Sequence, residues 1–385
     1  METLIPRIFL PQKYNFFLFG PRGTGKTTYL KQNYPDAVWI DLLEADVFRS
    51  YSAYPERLRE IVLANPDKKT VVIDEIQKVP ELLGVIHSLI EKKIKKQFIL
   101  TGSSSRKLKK TGADLLAGRV IKKTMHPFMA AELGKKFNLN NVLNQGLLPL
   151  VVSAQNPDAV LKTYASLYVR EEVQAEGLVR NIGNFSRFLE SVSFSHGSVL
   201  NITNVARDCE VERKVVEGYI AILEDLLLAF RLPVFTKRAK RVVVSHPKFY
   251  FFDAGVYRSL RPSGPLDKSE EIGGSALEGL VAQHLMAWNS YSGENNKVYF
   301  WRTAAGSEVD FVVYGEKVFW AIEVKNTSRI RPEDLRPLKS FKEDYPESTA
   351  YFLYRGKERI MKNGILCIPC EEFLLKLHPE KIKIA

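Results

Sequence analysis

Short apolar runs alternate with helix-periodic stretches through the first third of the chain. Runs of this kind lie at residues 16–19, 37–42, 70–74 and 97–103, and a last strand is predicted at 120–124. Apolar runs of this length are typical of strands that are buried on both faces of a parallel sheet. The stretch between the second and third runs, residues 54–64, predicts a helix. The pattern therefore indicates an α/β fold built on a parallel sheet.

The turn after the first run matches the phosphate-binding pattern G-x-x-x-x-G-K-[ST]. Its glycines let backbone N–H groups turn toward a polyphosphate, and the following helix N-terminus adds partial positive charge. Lys26 is expected to reach the β- and γ-phosphates of ATP, and Thr27 to hold Mg²⁺. A chance glycine-rich turn is the alternative. The predicted ATP-binding residues here are Gly20, Pro21, Arg22, Gly23, Thr24, Gly25, Lys26, Thr27 and Thr28.

The third apolar run ends in two carboxylates, Asp74 and Glu75. In a parallel sheet both would lie at the carboxyl end of the strand, beside the phosphate-binding loop. This is a Walker B pattern, in which Asp74 binds the Mg²⁺ shell and Glu75 polarises the attacking water. A solvated strand exit is the alternative.

The fourth run ends in Thr101-Gly-Ser103. P-loop ATPases with an inserted strand carry a γ-phosphate sensor at this place, which makes Thr101 and Ser103 candidates. Ordinary turn chemistry explains the same residues equally well.

Taken together, these motifs resemble those of AAA+ ATPases, and more closely a family of bacterial and archaeal AAA-type ATPases with a C-terminal domain of unknown function. The resemblance implies the strand order 5-1-4-3-2. It also implies that Arg119 acts as a finger on a neighbouring subunit's nucleotide, which requires a homo-oligomer. A salt bridge at a helix end is the alternative for Arg119. The matching segments are 20–27, 74–77, 101–104, 116–119 and 146–149.

The middle third predicts helices over 155–195 and then a helix-turn-helix outline. A short helix begins after Asn201, and a second spans 212–227. A hairpin follows, with a basic tip at 237–241 and a returning strand at 248–252. Helix, turn, helix and basic hairpin indicate a winged helix whose tip grips phosphate. A plain packing module is the alternative.

The last third predicts a linker over 261–274, a helix over 275–288, and strands at 297–302, 307–313 and 318–325. Glu323 and Lys325 lie two apart on a strand and share a face, and a hairpin would bring Asp310 beside them. This arrangement resembles the PD-(D/E)xK, restriction-endonuclease-like fold. The resemblance implies that Asp310 and Glu323 are metal ligands, that Lys325 assists the nucleophile, and that Glu278 supplies a further carboxylate.

Structural alternatives exist for each of these residues. Glu278 follows Ser275 at the spacing of a capping box, and capping alone would explain it. Asp310, Glu323 and Lys325 would also fit edge-strand charges or a cross-strand salt bridge.

Composition adds the expected partner and compartment. A formal net charge of +12 indicates a polyanionic partner, nucleic acid rather than membrane. DNA rather than RNA is the expected nucleic acid, and ATP and Mg²⁺ are the expected cofactors. Three cysteines are too few for a disulfide framework, and no apolar run reaches membrane-spanning length, so a cytoplasmic protein is expected. Cys367 and Cys370 indicate packing or, alternatively, half of a zinc site. The predicted domains are an ATPase core (1–134), a helical lid with winged helix (135–260), and a nuclease-like domain (261–385).

Overall fold

A computed structural model describes residues 4–103, 116–175, 179, 181–237, 241 and 246–381. These residues form two compact units. One unit is made of residues 9–126 with 225–227, and the other of the described residues in 1–8, 127–224 and 228–385. Apart from residues 225–227, the segments 135–260 and 261–385, which the sequence suggests as separate domains, lie in the same compact unit.

The first unit is a five-stranded parallel sheet with helices between its strands. Its strands are β1 (Phe16–Phe19), β2 (Val38–Asp41), β3 (Thr70–Asp74), β4 (Gln97–Gly102) and β5 (Ile121–Thr124); its helices are α1 (Lys26–Asn33), α2 (Ala45–Ala53), α3 (Arg57–Ala64) and α4 (Leu82–Glu91), and Ile76–Lys78 is a 3₁₀ turn. The sheet order is β2-β3-β4-β1-β5, with every neighbouring pair parallel. Read from the other edge this is 5-1-4-3-2, so the implied strand order is confirmed.

The burial of the strand residues is what a parallel sheet requires. All four residues of β1 and the last four of β3 are buried, because helices cover both faces of a parallel sheet. β1 and β3 both pair with β4, and therefore the carboxyl ends of these three strands lie side by side at one edge. The phosphate-binding loop, the Walker B carboxylates and Thr101 all lie at these ends.

The second unit begins with short helices. They are α5 (Ala130–Leu133), α6 (Leu139–Gln145), α7 (Pro149–Val152), α8 (Pro157–Thr163), α9 (Val169–Ala175) and α10 (Ile182–Ser193), with a 3₁₀ turn at Gly134–Lys136 and a π-helical turn at Tyr164–Tyr168. The helical prediction for 155–195 is correct in type, but a new helix begins at Ile182. Asn181 has extended backbone, and its side chain accepts a hydrogen bond from Asn184 N, which is an N-cap.

The next elements of this unit are β6 (Ser198–Val199), α11 (Ile202–Asp208), α12 (Arg213–Asp225), β7 (Ala229–Leu232) and β8 (Lys248–Phe251). β8 is the central strand, pairing antiparallel with β6 on one side and β7 on the other. Residues 238–240 and 242–245 of the predicted basic hairpin lie outside the described residues.

The remainder of this unit is α13 (Ala254–Leu260), α14 (Ser269–Ser292), β9 (Lys297–Arg302), β10 (Glu308–Tyr314), β11 (Phe319–Val324), a 3₁₀ turn (Pro332–Leu335), α15 (Arg336–Asp344), β12 (Thr349–Tyr354), β13 (Ile360–Lys362), β14 (Ile365–Pro369) and α16 (Cys370–Lys376). The mixed sheet has the order β13-β14-β12-β11-β10-β9. β9, β10 and β11 form an antiparallel meander, and β12 adds parallel to β11.

The predicted linker and the predicted start of α14 are wrong. Gly273 and Gly274 lie inside α14, which begins at Ser269. A Cβ on Gly273 would stand 3.1 Å from Asn326 Nδ2, and one on Gly279 would stand 2.1 Å from His196 Nε2. The glycines allow close packing against this helix and do not mark a linker. Glu278 therefore lies in the middle of a helix, and the capping explanation does not apply to it.

None of the described helices combines the length and the apolar character needed to cross a membrane.

Candidate functional site

The phosphate-binding loop of the first unit leaves β1 at Gly20 and enters α1 at Lys26. Gly23 and Gly25 have φ of 82° and 83°, the left-handed region that glycine adopts without strain. A Cβ on Gly20 would lie 2.5 Å from Met125 O. Thr24 Oγ1 donates to Pro21 O at 2.8 Å and closes the turn. The glycines of the motif are thus required by this backbone.

The Lys26 side chain lies within the loop. It is 6% exposed, and its Nζ donates to Gly20 O at 2.7 Å and Pro21 O at 3.3 Å. Arg22 and Thr28, by contrast, are exposed. Of these three predicted ATP contacts, the Lys26 side chain is held within the loop, whereas Arg22 and Thr28 face solvent.

Thr27 and Asp74 come from separate elements and are brought together. Thr27 Oγ1 donates to Asp74 Oδ2 at 2.8 Å. Asp74 is 1% exposed and lies at the end of β3. A hydroxyl and a carboxylate side by side are oxygen ligands of the kind that Mg²⁺ accepts. The residues present therefore fit a nucleotide-bound Mg²⁺.

Thr101 joins the two Walker B residues. Its hydroxyl donates to Asp74 Oδ1 and accepts a hydrogen bond from Glu75 N at 3.0 Å. Glu75 has φ of 59°, which costs a non-glycine residue on the order of 1 kcal/mol and marks a functional turn in many proteins. This bond holds Glu75 in that turn.

Gln77 is a site residue that the sequence reasoning missed. Its Nε2 donates to Glu75 Oε2 and lies 3.4 Å from Ser103 Oγ. A Cβ on Gly102 would lie 2.6 Å from Gln77 Oε1, so the amide packs against the end of β4. The signal was its position two residues after Glu75, inside one of the segments that carry the family resemblance.

Arg119 forms an ion pair within its own chain. Its Nε lies 2.5 Å from Glu91 Oε1 at the end of α4, and the Arg119 side chain is 40% exposed. Arg119 also holds the pKa of Glu91 below its ordinary value through this bond. The salt-bridge alternative is thus present in the structure, and the finger role stays a prediction that needs a neighbouring subunit.

The second unit carries the cluster predicted to be nuclease-like. β10 and β11 pair with Phe311 opposite Ile322, which places Asp310 and Glu323 on neighbouring strands. Asp310 Oδ2 accepts from Val324 N at 2.9 Å, and Lys325 Nζ lies 2.7 Å from Glu323 Oε1. The structure therefore brings together Asp310, Glu323 and Lys325, as the spacing predicts.

Glu278 reaches this cluster from α14. Tyr250 OH donates to Glu278 Oε1 at 2.6 Å. Burial, with the negative charge of Asp310, raises the pKa of Glu278 to about 7. Burial likewise raises the pKa of Glu323 well above its ordinary value, again with Asp310 adding to the effect.

A lysine that the sequence reasoning did not identify lies among these carboxylates. Lys248, the first residue of β8, is 1% exposed, and its Nζ lies 2.9 Å from Glu278 Oε1, 3.1 Å from Asp310 Oδ1 and 2.5 Å from Glu308 Oε1. Burial opposes its charge, but the surrounding acidic groups dominate and raise the pKa of Lys248 well above its ordinary value. Three carboxylate oxygens within 3.1 Å of its nitrogen thus favour the ammonium form of Lys248.

This arrangement does not fit a metal ion. Across the part of the chain that the structure describes, no group of three or more histidine, cysteine, aspartate or glutamate side chains is arranged to hold one. At the carboxylate cluster the reason is visible, since an ammonium lies where the oxygens of Glu278, Glu308 and Asp310 converge.

Two further sequence features take structural roles. Cys367 and Cys370 are buried free thiols, and burial raises the pKa of Cys370 to about 12, which agrees with the packing alternative. Arg241 belongs to the predicted basic tip. Its Nη2 lies 2.8 Å from Glu343 Oε2, and its Nε lies 3.2 Å from Asp344 Oδ1. Phe235, just before the tip, is buried in the core of the mixed sheet.

Three protein-family models match successive parts of this chain. Residues 12–134 match a family described as an AAA domain, residues 128–267 match a domain of unknown function (DUF8612), and residues 273–373 match another domain of unknown function (DUF4143). The first third of the chain is thus similar to AAA domains, and its last third to a domain whose function is not described.

Two similar proteins are both described as uncharacterized proteins. One from Mycobacterium tuberculosis is 25% identical over 369 residues, covering 93% of this chain and 80% of its own. Another from Methanocaldococcus jannaschii is 24% identical over 330 residues, covering 78% and 72%.

Among solved structures, the replication initiator DnaA bound to AMPPCP and single-stranded DNA matches with a TM-score of 0.26 and 14% identity, over 55% of this chain and 82% of that one. AMPPCP-bound DnaA from Aquifex aeolicus gives the same TM-score and coverage at 16% identity.

Proposed function

We propose that this protein binds ATP with Mg²⁺ at the loop 20–27 and hydrolyses it. The observation that carries the proposal is the contact between Thr27 and Asp74, since it joins the two residues that would share the Mg²⁺ of a bound nucleotide. Mg²⁺ would supply charge neutralisation of the β- and γ-phosphate oxygens. The AAA-domain match to residues 12–134 supports the same proposal.

The chain's own residues have separable roles in this proposal. Backbone N–H groups of the loop bind the phosphates, and the Lys26 ammonium exchanges the Gly20 and Pro21 carbonyls for phosphate oxygens. Glu75 orients and deprotonates a water that attacks the γ-phosphorus, and the bond from that phosphorus to the bridging oxygen breaks to give ADP and phosphate. Thr101 and Gln77 hold Glu75 in place.

The test is nucleotide binding by Lys26→Ala, measured by calorimetry with ATP and Mg²⁺. We expect the affinity to fall on the order of 100-fold, because a buried ammonium–phosphate contact is lost. Lys31→Ala is the matched control, since Lys31 lies in the same helix but is exposed. Equal affinities for wild type and Lys26→Ala would contradict the proposal.

Nucleic-acid contact through residues 182–251 is a second candidate function. The order helix, strand, helix, helix, strand, strand, with β8 between β6 and β7, supports a winged helix. Arg213 and Lys214 are exposed at the start of α12. Arg241, at the end of the predicted tip, is paired with Glu343 and Asp344, and Arg213 is paired with Glu217 on its own helix, so the test below addresses α12 directly.

The test is fluorescence anisotropy with random-sequence duplex DNA over a range of salt concentrations. We expect Arg213→Glu/Lys214→Glu to weaken binding and to flatten its salt dependence, because fewer counterions are released. Lys268→Glu/Lys297→Glu changes the same charge at two other exposed positions. Equal losses in both variants would indicate bulk charge and sink the α12 assignment.

A further inference from the structure

We propose that the Lys248 ammonium takes the place of a divalent cation in the cluster of Glu278, Glu308, Asp310 and Glu323, so that the C-terminal domain has no metal-dependent phosphodiesterase centre while Lys248 is in position. This inference does not rest on the proposed ATPase function. It concerns a different part of the chain and different residues.

The geometry supports a substitution of one cation for another. Three carboxylate oxygens, from α14 and β10, lie within 2.5–3.1 Å of Lys248 Nζ. Divalent cations bind such oxygens at about 2.0–2.6 Å, so a metal ligated by the same three atoms would overlap the nitrogen. The ammonium and a metal are therefore mutually exclusive occupants.

The backbone of Lys248 is held in a sheet. Lys248 faces Val199 on β6 and Leu232 on β7 in the two antiparallel ladders. Its Nζ also lies 5.6 Å from the centroid of the Phe300 ring. Moving the ammonium away would break its contacts with three carboxylates and leave those charges buried, which is strongly unfavourable.

The cluster retains unused capacity for a cation. Glu323 is 2% exposed, and its Oε2 is a buried oxygen with no hydrogen-bond partner among the residues that the structure describes, while its Oε1 contacts Lys325. Four acidic groups face two ammonium groups here, and Arg302 contributes one further contact, 3.3 Å from Glu308 Oε2. Removing Lys248 would leave an excess of buried carboxylates, a donor set that suits Mn²⁺, Mg²⁺ or Ca²⁺.

The experiment compares Mn²⁺ binding and thermal unfolding in wild type, Lys248→Ala and Lys248→Ala/Asp310→Asn, without nucleotide. We expect Lys248→Ala to be destabilised, to bind one more Mn²⁺ than wild type, and to regain thermal stability as Mn²⁺ is added. The double variant should lose both effects, which assigns them to the cluster and excludes the phosphate-binding loop. Lys317→Ala, which removes a surface ammonium from an ion pair with Glu294, should behave as wild type.

Two results would overturn the proposal. The first is Mn²⁺ binding by wild type, or Mg²⁺- or Mn²⁺-dependent plasmid cleavage by wild type, that disappears in Asp310→Asn. The second is a folded Lys248→Ala protein that gains no Mn²⁺ site. If Lys248→Ala does not fold, Lys248→Met keeps the length of the side chain, and the same comparison is made with that variant. The measurements of Mn²⁺ binding and plasmid cleavage by wild type test the proposal whether or not either variant folds.

Discussion

At the scale of single residues, the hydroxyl of Thr101 connects the parts of the P-loop site. It bonds the carboxylate of Asp74 and receives the N–H of Glu75, and Asp74 in turn receives the hydroxyl of Thr27. A change of charge at the γ-phosphate would therefore reach Glu75 through one side chain. The Thr101 hydroxyl makes the local bond to Glu75 N that turn chemistry would require, and the same hydroxyl is the group that would act in a γ-phosphate sensor.

We predict that Thr101→Val lowers ATP turnover about tenfold or more, because Glu75 loses the bond that fixes its backbone. Stability should fall by about 1–3 kcal/mol, since the Glu75 N–H loses its acceptor. Turnover and urea unfolding measure the two effects. Thr70→Val, at the opposite end of β3, is the control, and turnover in Thr101→Val equal to that of this control would remove Thr101 from the mechanism.

At the scale of secondary-structure elements, the buried side chain of Asp253 connects the end of α6 to the start of α13 by hydrogen bonds. Asp253 Oδ1 accepts from Gly255 N and Val256 N at 2.9 and 3.0 Å, which caps α13, and its Oδ2 accepts from Leu147 N at 2.7 Å. Burial, opposed by these hydrogen bonds, raises the pKa of Asp253 to about 6. Gly146, with φ of 74°, is required because a Cβ would lie 2.0 Å from Asp253 Oδ1. The segment 146–149, which contributes to the family resemblance, therefore has a structural explanation.

We predict that Gly146→Ala lowers the free energy of unfolding by about 3 kcal/mol, through the positive φ and the overlap with Asp253. Gly218→Ala is the matched control, because Gly218 lies inside α12 with open space around it. That change should raise the free energy of unfolding by about 0.5–1 kcal/mol. Urea titration of both variants is the measurement, and similar effects of the two changes would contradict the role given to Gly146.

At the scale of the whole molecule, Arg119 is the residue that would link the proposed ATPase site to a second chain. Arg119 pairs with Glu91 across an exposed surface, where screening by solvent leaves such an ion pair weak. Such a pair is easily exchanged for a nucleotide phosphate of a neighbouring subunit. The finger role is therefore compatible with the observed salt bridge.

We predict that Arg119→Ala lowers turnover on the order of 10³-fold while ATP affinity changes little, because the guanidinium acts on charge that develops in the transition state. Mixing Arg119→Ala with Glu75→Gln chains should restore part of the activity, since each supplies what the other lacks. Glu91→Gln, which removes only the salt bridge, should keep turnover near wild type. Absence of recovery in the mixture would favour the salt bridge as the only role of Arg119.

The sequence by itself determined whatever depends on neighbouring residues. The phosphate-binding loop, the Walker B strand and the Asp310–Glu323–Lys325 hairpin follow from short-range spacing, because glycine turns and strand alternation are local rules. The parallel sheet followed in the same way from its apolar runs. Its strand order came from the family resemblance.

Only the tertiary structure decided what fills the carboxylate cluster and which glycines are packing contacts. Lys248 is 62 residues from Asp310 and 30 from Glu278, so spacing along the chain carries no sign that they meet. Gly273 falls in the linker predicted over 261–274, whereas in the structure it lies inside a helix with Asn326 packed against it, and His196 packs in the same way against Gly279. Charge neutralisation and close packing are set by distances in space, and those distances exist only once the elements have assembled.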